Sequence, residues 1–250
     1  KYKMHSSPED INGWKGAYFD GPYANDGTPT AFFSPDDPSM WVANEFTLVL
    51  FFKADQSLTQ EGHPPAALIW MPSDEPPNSL NYPSIGIWYQ DNQMHFGAGL
   101  DGGTELFEVT MEWDWRMGDV NVSNPGSDRE PWDFVGMTFS QEGGNSVLKV
   151  YTKRFKVING EVILLDVQDD DFASGVNAPG PIIKTQEGVS HGAIVTKVDY
   201  GDYHLCDYDW FFKGKMDRSG LYNYALTADE IDAYFWNNVI TSSQVTYIRD

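Results

Sequence analysis

From residue 15 to residue 198 the apolar residues of this chain arrive in runs of strand length, with turn-forming residues between the runs. The clearest run covers residues 45–54, where Phe46, Leu48, Leu50 and Phe52 alternate with Thr47, Val49 and Phe51. Further runs lie at 66–71, 84–90, 94–100 and 104–111, then at 131–140, 147–153, 161–167 and 192–198. Asp91-Asn92-Gln93 and Gly143-Gly144-Asn145 have the composition of hairpin turns, so each joins the runs on either side as an antiparallel pair. Residues 22–44, 55–65, 117–131 and 168–190 read as loops, the first with short extended pieces. Residues 72–83 hold four prolines; proline has no N–H to give to a ladder, so this stretch is a surface excursion rather than an inner strand. Regular short strands with turn signals between them predict an all-β chain folded as a two-sheet antiparallel jelly-roll β-sandwich. Residues 1–14 read as a polar lead-in and residues 15–250 as a single sandwich domain.

One segment breaks the period of two. Thr227 is followed three residues later by Glu230, the pattern of a capping box in which each side chain satisfies a free backbone N–H at the helix start. Ile231, Tyr234 and Phe235 then recur at helical spacing. The chain is therefore expected to end in a strand and a short C-terminal helix.

That ending, Phe212-Lys213-Gly214-Lys215-Met216-Asp217 running into Tyr222-Asn223-Tyr224-Ala225-Leu226 and an acidic helix start, resembles the laminin-G-like branch of the concanavalin A-like lectin/glucanase superfamily. Ala17-Tyr18-Phe19-Asp20-Gly21, the Phe46-Thr47-Leu48 strand with Phe51 in its aromatic place, and Trp132-Asp133-Phe134-Val135 followed by Thr138-Phe139 resemble the same branch, in the same order. The resemblance spans residues 15–240. It implies a laminin-G-like jelly roll whose first and last strands are neighbours. It also implies that Asp20 and Asp217, on those strands, can tie the chain ends through a structural calcium ion, with backbone carbonyls completing the shell. Calcium takes six to eight oxygens, so two aspartates alone do not suffice.

Charge narrows the partners. The chain carries 37 acidic and 16 basic residues, a net charge of -21 at pH 7. Such a field repels nucleic acid and anionic membrane surfaces and favours cations or neutral ligands. No apolar run is long enough to insert in a membrane, and a single cysteine, Cys206, excludes an intrachain disulfide. An extracellular, cell-surface or virion-surface location is expected.

Chemistry-bearing residues fall into three groups. In Glu112-Trp113-Asp114-Trp115-Arg116 alternation sets Glu112, Asp114 and Arg116 on one face of a strand. Jelly-roll endoglucanases of the superfamily carry Glu-x-Asp-x-Glu there, because retaining hydrolysis needs two carboxylates flanking the bond; here Arg116 stands where the acid should be. His95, with Gln93 on the same strand face, is the candidate base for a lyase. Asp20 and Asp217 are the metal candidates. Asp199, Asp202, Asp207 and Asp209, interleaved with aromatics, are either a metal-and-ligand edge or an acidic loop. Trp113, Trp115, Tyr203, Tyr208 and Trp210 sit beside loops or among acidic neighbours and are the candidate sugar-stacking plates, whereas Trp70, Trp88 and Trp132 read as core. The leading expectation is a non-catalytic carbohydrate-binding or adhesion module with a glycan or polysaccharide partner. A polysaccharide-degrading hydrolase or lyase, and a structural or assembly protein, are the alternatives. No phosphate-binding loop, His-Glu-x-x-His helix or Gly-x-Ser-x-Gly elbow is present in the sequence.

Overall fold

The run predicted most clearly becomes β3 (Phe46–Ala54), and it is buried on both faces. Phe46, Leu48, Leu50 and Phe52 enter the core between two sheets, while Val49 and Phe51 turn the other way, toward a helix. A strand apolar on both faces is what burial under two layers demands.

The structure is a computed structural model. It describes residues 17–20, 32–34, 44–54, 65–72, 83–91, 93–99, 106–112, 131–142, 145–158, 161–168, 174–176, 189–200 and 203–239. Across the first sheet, in the order of their pairing, the seven strands run β1 (Ala17–Asp20), β15 (Lys213–Tyr222), β3, β8 (Trp132–Glu142), β9 (Asn145–Ile158) and β10 (Glu161–Gln168), with β11 (Ser174–Val176) also paired to β9. The six-stranded sheet has the order β2 (Phe32–Ser34), β12 (Val189–His191), β4 (Ala66–Pro72), β5 (Pro83–Gln90), β6 (Gln93–Gly99) and β7 (Leu106–Glu112). Every pairing within both sheets is antiparallel. The chain is thus a two-sheet antiparallel jelly-roll β-sandwich, closed by the short C-terminal helix α1 (Ala228–Val239).

Between the sheets lies one continuous core that includes Phe46, Phe52, Met94, Phe96, Phe139 and Phe212. Phe46 and Phe139, from adjacent strands, stack at 5.7 Å. Each such side chain contributes on the order of 1.5–3 kcal/mol by leaving water. Gly192, in the turn after β12, has a positive φ of 80°, and a Cβ there would run into the Phe19 ring. Its N–H donates to Leu68 and its carbonyl accepts from Phe212, so the turn ties β4 to the chain entering β15.

α1 covers the outer face of the seven-stranded sheet. Its start is the predicted capping box: the Thr227 N–H donates to Glu230 Oε2 at 2.8 Å, and the Glu230 N–H donates to Thr227 Oγ1 at 3.3 Å. Ile231, Phe235 and Val239 then bury against Val49, Phe51, Phe134 and Phe155. Gly136 allows this approach, since a Cβ there would stand 3.1 Å from Ile231. Beneath the helix Lys153 is buried and reaches Asp232 at 2.9 Å.

The structure departs from the expectations in three places. Residues 168–190 are not wholly loop: they supply β11 and the start of β12. Residues 192–198 do not return to a large sheet. They enter β13 (Ile194–Tyr200), which pairs only with β14 (Tyr203–Asp209) as a separate two-stranded ribbon. That ribbon puts Asp199, Asp207 and Asp209, read as either a metal-and-ligand edge or an acidic loop, on strands. Past the run expected at 147–153, the basic stretch after Tyr151 extends β9 to Ile158, and β10 folds back on it.

Candidate functional site

The two outer faces of the sandwich differ. One is filled by α1. The other, on the six-stranded sheet, is built by strict alternation. Ile85, Ile87 and Tyr89 of β5, Met94, Phe96 and Ala98 of β6, and Phe107, Val109 and Met111 of β7 all point into the core. The residues between them, Trp88, His95, Glu108 and Thr110, therefore face outward. In β4 a register shift between Ala67 and Ile69 resets the alternation and puts Ala67 and Trp70 on the same outer face.

An aromatic row results. Trp70 meets Trp88 edge-on at 5.7 Å and Trp210 edge-on at 5.8 Å. Ala67 and Ile194 complete the cluster. Trp70 and Trp88 are 2 % and 4 % exposed, while Trp210 keeps part of its surface in solvent. Trp210 has a positive φ of 53°, a backbone conformation that costs a bulky residue on the order of 1–3 kcal/mol. Its carbonyl accepts from Ala67 N at 2.7 Å, which holds the bend against β4.

The row continues into polar groups. The His95 ring stacks on Trp88 at 5.0 Å with 12° between planes. His95 Nδ1 bonds to Glu108 Oε1, and Nε2 lies 3.2 Å from the Gln90 carbonyl. Across the ladder Trp88, His95 and Thr110 stand in register, as do Gln90, Gln93 and Glu112. Thr110 is exposed; His95, Glu108 and Gln93 are half-buried. The indole Nε1 of Trp88 is buried and meets no acceptor, an unusual state for a buried donor. From β4 to β7 the row crosses three strand spacings, about 14 Å.

The candidates from the sequence scatter. Trp210 and His95 reach this face. Glu112 ends β7 in register with Gln93, and its side chain lies outside the described residues. Trp113, Asp114, Trp115 and Arg116 lie outside them altogether. Tyr203 and Tyr208 are on β14, opposite Tyr200 and Val195, with side chains outside the described set. Trp70 and Trp88 are buried as expected, but in a cluster on the outer face rather than in the main core; Trp132 is buried under α1. Glu108 escaped sequence reasoning, although Phe107-Glu108-Val109-Thr110-Met111 alternates and marks it as the acid beside His95 in a hairpin.

The His95 ring sits between Glu108 and the Gln90 carbonyl and ties the two together. β1 and β15 are neighbours, as the resemblance implies, but the register sets Asp20 opposite Lys213, and Asp217 lies four positions further along β15, about 13 Å away along the strand. Asp217 Oδ1 instead accepts from the Arg218 N–H at 2.7 Å. Among the described residues no three His, Cys, Asp or Glu side chains gather to hold a metal ion, and no helix is long and apolar enough to cross a membrane.

No family model matches the chain, and no curated protein matches it. Among solved structures it is similar to the binding domain of botulinum neurotoxin serotype G, with 9 % identity and a TM-score of 0.53 over 95 % of this chain and 46 % of that one. It is similar to the NanB sialidase of Streptococcus pneumoniae, with 15 % identity and a TM-score of 0.50 over 82 % of this chain and 27 % of that one. The Ruminococcus gnavus IT-sialidase CBM40 bound to alpha2,6 sialyllactose matches at 14 % identity over 87 % of this chain and 95 % of that one, with a TM-score of 0.49. At these identities the likeness is one of fold. The chain spans less than half the length of the first two proteins.

Proposed function

We propose that this chain is a non-catalytic carbohydrate-binding or adhesion module of the concanavalin A-like lectin/glucanase superfamily, acting outside the cell. Its glycan lies across the outer face of the six-stranded sheet. One observation carries the reading: of the two outer faces, one is sealed by α1, while the other bears an aromatic row that ends in partly exposed His95, Glu108 and Thr110. Aromatic plates take the C–H face of a sugar ring, and a polar rim takes its hydroxyls. Trp210 is the plate and Glu108 with Thr110 the rim. The fold itself decides nothing between binding and catalysis, because one fold serves many functions.

A glycan-array screen followed by titration tests this, run once with calcium and once with chelator so that participation of an ion is read directly. Wild type is expected to bind at least one glycan, and Trp210→Ala to weaken that binding by roughly tenfold with unchanged circular dichroism. Absence of binding to any glycan, together with a stable oligomer, would overturn the reading in favour of an assembly role.

A further inference from the structure

The sandwich is as uneven in charge as it is in shape. None of the six strands β2, β12, β4, β5, β6 and β7 contains a lysine or an arginine. The other sheet has them in quantity: β9 alone carries Lys149, Lys153, Arg154 and Lys156. Two of these are tied inward or sideways, Lys153 to Asp232 and Arg154 to Asp133. Among the described residues, the sheet that α1 covers carries these cations, the ribbon carries Lys197 on β13, and the six strands under the aromatic row carry none.

Histidine does not fill the gap. The six-stranded sheet has two, His95 and His191. His95 is spent on Glu108 and Gln90. His191 is pushed down to about 4 by burial, so it is neutral at pH 7, and it bonds Ser219 of the opposite sheet. The charged group that the described side chains show beside them is Glu108, half-buried against His95. Behind it stands a chain with a net charge of -21.

An anionic ligand needs cationic or strongly hydrogen-bonding partners to offset its lost hydration. A neutral glycan needs acceptors for its hydroxyl protons, donors for its oxygens and a plate for its ring. The face has the second set: acceptors in Glu108 and Thr110, a donor in Thr110, and the aromatic row. We infer that the ligand of this face is an uncharged glycan, and that acidic sugars, whether uronates, sialic acids or sulfated residues, are excluded by like charge. The inference rests on the carbohydrate-binding reading and narrows it. Specificity here comes from a repulsive element as much as from contacts.

Matched glycan pairs that differ only in an acidic group test it. Lactose against alpha2,6 sialyllactose, and a neutral galactan against polygalacturonate, are titrated into the full chain in chelator at low and at high sodium chloride. For each pair that binds, the neutral member is expected to bind at least about tenfold more tightly at low salt. The gap narrows as salt screens the carboxylates. Glu108→Gln, which keeps an acceptor for His95, narrows it as well; the salt titration on wild type stands on its own if that variant folds poorly. Equal or tighter binding of the acidic members at low salt overturns the inference and leaves the carbohydrate reading intact. Binding of no member of any pair, and of no array glycan, removes the reading and the inference together.

Discussion

At the residue scale the decisive group is Trp88. Its ring packs edge-on to Trp70 and flat on His95, yet its Nε1–H meets no acceptor. A buried donor left unsatisfied costs about 1–3 kcal/mol. Trp88→Phe removes that donor and keeps an aromatic ring between Trp70 and His95. Its cost is expected to stay within about 1.5 kcal/mol, as for volume-conserving swaps. Trp88→Ala removes the ring itself and is expected to cost about 3–5 kcal/mol. Urea melts of the two variants check this, and equal losses would show that the N–H has a partner. The sequence made Trp88 legible as buried, because it lies in an apolar strand pattern. It did not reveal which side of the sheet Trp88 occupies, since Ile87, Trp88 and Tyr89 are all apolar and alternation of polarity fails there. His95 and Glu108 were the better markers. Each is a polar residue flanked by inward apolar neighbours, and in a hairpin two such positions face the same way.

At the element scale legibility followed local chemistry. The β3, β5–β6 and β8 signals are long apolar runs with turn residues at their ends, and the strands form where those runs lie. The strands missed, β11, β12 and β14, carry weak local signals. Two are three residues long, and the third ends in Asp207-Tyr208-Asp209, an acidic stretch that reads equally as loop. Their pairing is decided by neighbours rather than by their own sequence; Ser190 shows how, its hydroxyl lying 3.0 Å from the Trp70 carbonyl and 2.7 Å from that of Ala193, with one proton to share between them. The helix was legible because its start is written in side chains. Thr227→Ala deletes the Oγ1 that accepts from the Glu230 N–H and should cost about 1 kcal/mol, a fall of roughly 2–4 °C in Tm for a domain of this size. The backbone N–H of Thr227 keeps its bond to Glu230, so the helix loosens at one end without detaching. Calorimetry of Thr227→Ala measures this; an unchanged Tm would mean that burial of Ile231 and Phe235 alone sets the start of α1.

At the scale of the whole molecule the two sheets are held mainly by the shared core, and a side-chain hydrogen bond also crosses between them. His191 of β12 lies 3.0 Å from Ser219 Oγ, beside the irregularity between Asp217 and Gly220 that interrupts the β15–β3 register. Although His191 keeps some surface in solvent, burial pushes it down from 6.5 to about 4. In the native state the ring therefore stays neutral until about pH 4, whereas the unfolded chain protonates it near its ordinary value of 6.5. Between those values the unfolded state binds more protons, so stability rises with pH across that window. The contribution is complete above about pH 6.5 and is lost as pH falls toward 4. Many carboxylates titrate at the lower end of the same range, so the slope of wild type alone does not identify the histidine. His191→Gln does: the amide keeps a hydrogen bond to Ser219 and cannot take up a proton. Denaturant melts at half-unit steps from pH 7 to pH 4.5 should show wild type losing stability faster than His191→Gln, with the two curves separating from about pH 6.5 downward. Parallel curves would place the protonation of His191 at the same pH in both states and free the junction between the sheets from any dependence on it.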